Sequence, residues 1–86
     1  MEKGNIVLAL AGKEKGQIFV IVNVDKDRVY IADGKRLKKN NPKAKNFKHV
    51  KMFTNSKMDT KILDDQNQRV DCAIRKFLKS KRSEHV

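Results

Sequence analysis

The sequence predicts a mainly β fold, a small five-stranded antiparallel barrel followed by a C-terminal α-helix. Three observations lead to this fold class. The first third of the chain holds short β-type runs separated by turn signals. The last third carries apolar residues at helical spacing. The chain has 86 residues, which is enough for one hydrophobic core but too few for two.

The first three strands are predicted from apolar runs. The first is Ile6 to Ala11, and a glycine-flanked turn at residues 12–16 follows it. The second spans residues 17–25 with apolar side chains on both faces, so we expect it to be covered on both sides over part of its length. One of its faces carries Ile18, Val20, Val22 and Val24. After a tight connection at residues 25–27, residues 28–32 form the third strand, which ends at the turn pair Asp33-Gly34.

The last two strands lie in the less regular stretch after Gly34. We expect a short fourth strand at residues 35–38, a loop at residues 40–42, and a closing strand at residues 49–53 with Val50 and Met52 facing inward. Residues 1–53 therefore make up the predicted barrel. Residues 54–64 carry little pattern and are expected to be a mobile connection.

Residues 65–82 are predicted to form a helix that packs on or beside the barrel. Asp65 is a candidate N-cap with Gln68 as its capping-box partner. The apolar stripe of this helix consists of Val70, Ala73, Ile74, Phe77 and Leu78. The opposite face carries Cys72, Arg75, Lys76, Lys79 and Arg82. We expect residues 83–86 to be frayed.

The charge of the chain points to a polyanionic partner. Twenty-one Lys and Arg residues stand against 10 Asp and Glu, which gives a net charge of +11. Such a surface attracts nucleic acid or an acidic membrane. A membrane anchor would use a basic amphipathic helix with Trp or Phe on its apolar face, and the chain has no Trp. Nucleic acid is therefore the expected partner, and a membrane is not.

The expected location is the cytoplasm. The apolar run near the N-terminus has only six residues, which is too short for a membrane span, and it lacks the cleavage region of a signal peptide. The single cysteine, Cys72, cannot form an internal disulfide or a zinc site. A reduced compartment fits this cysteine usage.

Residues 34–57 form a lysine-rich tract that contains nine basic residues and no acid. The nine are Lys35, Arg36, Lys38, Lys39, Lys43, Lys45, Lys48, Lys51 and Lys57. A surface that is merely soluble tends to mix both signs of charge, so the tract favours phosphate binding over a solvated, disordered segment. If five of these residues reach phosphates, log K should fall with log salt at a slope of about −3.5 on single strands and about −4.5 on a duplex.

The turn Gly12-Lys13-Glu14-Lys15-Gly16 is open to two interpretations. It is either a hairpin turn kept soluble by its lysines, or a site where glycine lets the backbone approach a phosphate. Residues 6–22, and above all the segment AGKEKGQIFV at 11–20, resemble a KOW motif with Gly16 at its signature glycine. That motif occurs in ribosomal proteins and in transcription elongation factors.

A second set of residues narrows the resemblance. Asp33-Gly34, Pro42-Lys43-Ala44-Lys45 and Lys48-His49 resemble, in order and spacing, the barrel domain of a large-subunit ribosomal protein family of archaea and eukaryotes. They also resemble a group of short bacterial KOW proteins similar to that family. The resemblance covers residues 4–53, and residues 73–76 look like the helical end of the bacterial group. Asn40 departs from the pattern, because family members often carry an acid there. The resemblance implies an SH3-like barrel and RNA binding, but no particular process.

From these observations we predict that the protein binds structured RNA, most simply ribosomal RNA, through the lysine-rich edge of the barrel. The expected RNA-binding residues are Lys13, Lys15, Gly16, Lys35, Arg36, Lys38, Lys39, Lys43, Lys45, Phe47, Lys48, His49 and Lys51. A secondary contact is expected from Arg75, Lys79 and Arg82. Because lysine offers a point charge and not a planar fork, we expect recognition of shape and backbone.

The aromatic residues and His49 each allow a second interpretation. Phe47 is the best candidate for stacking on a base, whereas Tyr30 and Phe53 are expected in the core. His49 either contacts RNA or satisfies a backbone carbonyl.

The sequence does not favour catalysis. The two histidines, His49 and His85, have no cysteine or acidic cluster at ligand spacing, and no phosphate-binding glycine loop opens a helix. We therefore expect a monomeric binding module without metal, cofactor or small-molecule substrate. Two alternatives stay open, a protein-interaction module of the transcription or translation machinery and a non-specific DNA binder.

Overall fold

In a computed structural model of the chain, residues 1–65 and 69–84 are described, and they form one antiparallel sheet followed by two helices. The strands are β1 (Asn5–Ala9), β2 (Ile18–Val24), β3 (Arg28–Ala32), β4 (Lys43–Asn46) and β5 (Val50–Lys57). A 3-10 turn at Phe47–His49 precedes β5, and the helices are α1 (Thr60–Leu63) and α2 (Val70–Glu84). The strand order is β4-β3-β2-β1-β5. The predicted mainly β class with a C-terminal helix is confirmed.

The fourth strand is the element that the sequence misplaced. Residues 35–38 were expected to form it, but they belong to a turn with one isolated bridge between Lys38 and Asn41. The reason is local. The carboxylate of Asp33 accepts hydrogen bonds from the backbone N–H groups of Lys35 and Leu37, at 2.9 and 3.0 Å, which curls this segment. The strand that pairs with β3 is β4, formed by residues 43–46.

The closing strand is longer than predicted. β5 continues past Phe53 to Lys57, where it pairs with Asn5 of β1. His49 lies in the 3-10 turn before the strand. Residues 60–63, expected to be part of an irregular connection, form α1, whose N-terminus is capped by the side chain of Asp59. The segment between the sheet and α2 therefore has more regular structure than its sequence pattern indicated.

The predicted apolar stripe of the C-terminal helix is confirmed. Val70, Ile74 and Leu78 are buried in a core cluster with residues of β1 and β2, and Ala73 and Phe77 pack at its edge. Fully burying one such aliphatic side chain stabilises the fold by about 1.5–3 kcal/mol.

The bounds of this helix differ from the expected ones. α2 begins at Val70 and not at Asp65, and it includes residues 83 and 84, which were expected to be frayed. The capping partner Gln68 and residues 85–86 lie outside the described residues. Within the described ranges, no helix has the length and apolar character needed to cross a membrane.

β2 is buried on both faces, as its sequence predicted. Ile18, Val20 and Val22 belong to the cluster beneath α2. Phe19 and Ile21 belong to a second cluster on the other face, which is built from residues of the sheet with Leu37 and Phe47 at its edge.

Met52, which was expected to face inward, is exposed, and so is Val24 at the end of β2. Val24 is 37% exposed because it lies at the end of β2, beyond a register shift between Ile21 and Asn23. Met52 is 40% exposed on β5, the last strand of the sheet, most of whose residues are exposed or half-buried.

Candidate nucleic-acid interface

A groove of about 860 Å³ lies between α2 and two loops, one before β2 and one after β3. We call it the cationic groove. Its cations are Lys35, Arg36, Arg75, Lys76, Lys79 and Arg82. Apolar side chains from the sheet and the helix also line it, namely Leu8, Ile18, Phe53 and Leu78. The groove thus combines positive charge with apolar surface.

The helical spacing of α2 accounts for its share of the cations. Arg75, Lys79 and Arg82 lie at positions i, i+4 and i+7, which places them along one side of the helix, and Lys76 also lines the groove. The buried stripe of α2 packs on the sheet, so these side chains stand beside the point where helix and sheet meet. The sequence assigned Arg75, Lys79 and Arg82 a secondary role and did not include Lys76.

The loop after β3 brings Lys35 and Arg36 to the same groove, and it is held against α2. The guanidinium of Arg75 donates a hydrogen bond to the carbonyl of Gly34. The carboxylate of Asp71 accepts one from the backbone N–H of Lys39 at 2.8 Å.

Gly34 is required for this close approach between the loop and the helix. It has φ of +79°, in the left-handed region that favours glycine. A Cβ at Gly34 would also collide with the backbone carbonyl of Asp71. Loop and helix therefore position the six cations as one unit.

The charges of the groove are not neutralised by ion pairs within the described part of the chain. No salt bridge there involves any of the six cations. Asp33 is the acid among the lining residues, and one of its oxygens already accepts the two backbone N–H groups that shape the loop. Five of the six cations are exposed, and Arg75 is half-buried. Such an arrangement attracts anions from solution.

Lys43 and Lys45 were expected to bind RNA, but both are engaged with an acid from another part of the chain. They lie on β4, and both ammonium groups form salt bridges with Glu14 of the turn between β1 and β2. The Lys45 side chain is only 9% exposed and also donates to the carbonyl of Ala11 at 2.9 Å.

Glu14 is strongly stabilised in its charged form. Hydrogen bonding from Lys43, with a smaller contribution from Lys45, lowers the pKa of Glu14 to about 2. The lysine-rich tract contains no acid in its sequence, yet the fold supplies one. Lys45 is therefore a structural residue, and Lys43 is partly neutralised.

The remaining predicted residues do not converge on the cationic groove. Lys48 and His49 are exposed in the 3-10 turn, and Lys51 is exposed on β5. Lys13 and Lys15 are exposed in the turn before β2, and Lys38 is exposed while Lys39 is half-buried in the loop after β3.

Phe47 and Phe53 both pack at the edge of a core cluster. Phe47, expected to stack on bases, is half-buried and packs at the edge of the second core cluster. Phe53, expected in the core, packs at the edge of the cluster beneath α2 and also lines the groove. No local pattern distinguishes these two phenylalanines, because the difference depends on where α2 docks.

Gly16 lines the groove, and its predicted part in ligand binding stays a prediction. Its φ is +86°, and open space surrounds the position that a Cβ would occupy. The glycine is thus needed for its backbone conformation. The neighbouring Gln17 also lines the groove and is exposed.

In residues 1–65 and 69–84, no three His, Cys, Asp or Glu side chains come together in a group that could hold a metal ion. Comparison of the chain with known protein families and with curated proteins finds no match. The function therefore has to be inferred from the residues themselves.

Proposed function

We propose that this protein binds RNA through the cationic groove, with structured ribosomal RNA as the expected target. The observation that carries the proposal is the convergence on one groove of six cations, from α2 and from the loop after β3, that form no salt bridge within the described part of the chain. A phosphate backbone supplies the matching negative charge at regular spacing. The net charge of +11 adds long-range attraction for any polyanion.

The proposal also includes the fold that the KOW resemblance implies, an SH3-like barrel. Two features support closure of the sheet. β2 is buried on both faces, and the second core cluster consists of strand residues with Leu37 and Phe47 beside it. A flat sheet would leave that face open to water, whereas a curled sheet covers it with its own strands. In such a barrel, α2 covers one side and forms a wall of the groove.

The test compares two triple variants that remove the same charge from different surfaces. The groove variant is Arg36→Gln, Lys79→Gln, Arg82→Gln. The comparison variant, from the lysine-rich tract, is Lys38→Gln, Lys48→Gln, Lys51→Gln. Binding of a fluorescein-labelled RNA hairpin is measured by anisotropy over a range of salt concentrations, and circular dichroism establishes that both variants are folded.

We expect the groove variant to lose about three phosphate contacts. The slope of log K against log salt should then become shallower by about 2 to 2.7, which corresponds to a loss of at least about 100-fold in affinity near 0.1 M salt. The tract variant should change the slope by less than half as much. Equal losses in the two variants would contradict a groove site. They would indicate that RNA binds to lysines spread over the surface.

Crosslinking and RNA sequencing from cells identify the target. Crosslinks concentrated at one ribosomal RNA site in the wild-type protein, and lost in the folded groove variant, would support the ribosomal assignment. Equal affinity for a DNA duplex and for the RNA hairpin would favour the DNA-binding alternative. Retained binding to a partner protein, without RNA crosslinks, would favour the interaction-module alternative.

A further inference from the structure

The cationic groove has an apolar floor that binding to a phosphate backbone does not require. The half-buried Leu8 and Phe53 and the buried Ile18 and Leu78 line the groove together with the positively charged residues of α2 and of the loop after β3. Phosphate contacts by themselves are made by cations and backbone N–H groups on an open surface. A ligand that fills this groove must therefore offer an apolar face together with negative charge.

An unpaired nucleotide has this combination, and a duplex does not. In a double helix the faces of the bases are stacked on one another and hidden, and the phosphates lie outside. In a single strand, a base can leave the stack and lie against an aromatic side chain while its phosphates stay near cations. We propose that the cationic groove binds an unpaired RNA segment, with one base against Phe53 and the flanking phosphates at the surrounding cations. This inference rests on the proposed RNA-binding function and specifies which form of RNA enters the groove.

The dimensions of the groove agree with this ligand. Its volume is about 860 Å³, and pockets of about 300–1,000 Å³ enclose molecules of drug size. It therefore has room for a nucleotide or two, while the rest of the strand follows the exposed cations.

Gln17 gives the groove a group that can contact the edge of a base. It lines the groove next to Gly16 and is exposed. Its amide offers two donors and an acceptor, which can pair with the edge of an unstacked base. The cations then bind phosphates, Phe53 contacts the face of the base, and Gln17 contacts its edge.

The experiment compares single-stranded and double-stranded probes of equal length. A labelled 12-nucleotide oligouridine and a labelled 12-base-pair RNA duplex are titrated with the wild-type protein and with Phe53→Leu, which keeps an apolar side chain but removes the ring. Phe47→Leu is the matched variant, because Phe47 packs at the second core cluster and does not line the groove. Circular dichroism establishes the folding of both variants.

We expect the single strand to bind the wild-type protein at least about 10-fold more tightly than the duplex. Phe53→Leu should weaken single-strand binding by about 5- to 30-fold, the lower part of the usual contribution of one base stacked on an aromatic ring, because leucine keeps an apolar contact. Phe47→Leu should change it by less than about 2-fold, and duplex binding should respond little to either substitution.

A second measurement uses only the wild-type protein, so it does not depend on the folding of a variant. Oligoribonucleotides that contain 4-thiouridine are crosslinked by light and the protein is digested with trypsin. Cleavage after Lys51 and Lys57 releases residues 52–57, the peptide that contains Phe53. We expect the crosslinked nucleotide on this peptide.

The outcomes separate this inference from the function on which it rests. If RNA binds with the expected salt dependence and the groove charge variant abolishes it, but the duplex binds as well as the single strand and Phe53→Leu has no effect, the unpaired-segment inference is wrong and the groove function stands. If neither probe binds in a salt-dependent way, the proposed function itself is wrong. A crosslink confined to peptides outside the groove also overturns the inference.

Discussion

Replacing Glu14 by Gln tests whether the fold uses two of its lysines for stability and not for ligand binding. Glu14 forms salt bridges with the ammonium groups of Lys43 and Lys45 on β4, and its side chain is 12% exposed. Glutamine has nearly the same shape but no charge. The substitution therefore removes the negative charge beside the buried Lys45 ammonium, which keeps its hydrogen bond to the Ala11 carbonyl.

The size of the effect follows from the ionisation of Glu14. Its pKa falls from an ordinary value of 4.5 to about 2 in the folded protein. At 1.36 kcal/mol per unit, the full shift corresponds to a stabilisation of about 3 kcal/mol. Lys43 is 42% exposed, so water screens part of the interaction, and we expect Glu14→Gln to cost about 1–2 kcal/mol at pH 7.

The lowered pKa of Glu14 determines the direction in which its stabilising effect changes with pH. Because the folded-state pKa lies below the unfolded-state value, the stabilisation is fully present above about pH 5 and is lost as the pH falls toward 2. The free-energy difference between wild type and Glu14→Gln should therefore be largest near neutral pH. It should shrink between about pH 5 and pH 2, where the wild-type carboxylate becomes protonated in both states.

Urea unfolding followed by circular dichroism at several pH values measures this difference. Glu2→Gln is the matched control, because Glu2 forms an exposed ion pair with Lys57. In this pair the side chain of Glu2 is 69% exposed and that of Lys57 is 43% exposed. It should change stability less than Glu14→Gln near neutral pH, since exposed pairs contribute little. The reasoning is refuted if Glu14→Gln matches wild type at pH 7, or if the difference between them persists unchanged at pH 2.

Two further predictions concern the docking of α2. Gly34→Ala should lower the free energy of unfolding by about 1–3 kcal/mol, because φ is positive there and a Cβ meets the Asp71 carbonyl. It should also weaken RNA binding in the anisotropy assay, and unchanged values in both would contradict the tight contact. Ile74→Ala should cost about 2–5 kcal/mol in urea unfolding, since Ile74 is fully buried. Met52→Ala, at an exposed position, should cost less than about 0.5 kcal/mol. Similar losses for Ile74 and Met52 would contradict the observed packing.

Much of the secondary structure could be predicted from local patterns. The bounds of β3 agree with the sequence, both faces of β2 are buried as its pattern indicated, and the stripe from Val70 to Leu78 is the buried side of α2. These features follow from the spacing of apolar residues within one element. The fourth strand was wrong because a side chain, Asp33, takes the backbone donors of residues 35 and 37, and hydrophobic spacing does not report such a bond.

The sequence predicted the kinds of residues that form the candidate site but not its position in the fold. Charge counting indicated a polyanion partner and named all the groove cations except Lys76 as expected or secondary contacts. It ranked the lysine-rich tract first because that segment contains no acid. Only the folded chain shows that Glu14 neutralises part of the tract.

The sequence by itself determined the fold class and the excess of positive charge. Strand and helix signals depend on residues close together in the chain, and the charge is a simple count. The tertiary structure decided which cations remain open to a ligand. Glu14 contacts Lys43, which is 29 residues away in the chain, and Arg75 contacts Gly34, which is 41 residues away. The physical reason is that ion pairs and grooves depend on distances in space between segments remote in the chain, which no local spacing encodes.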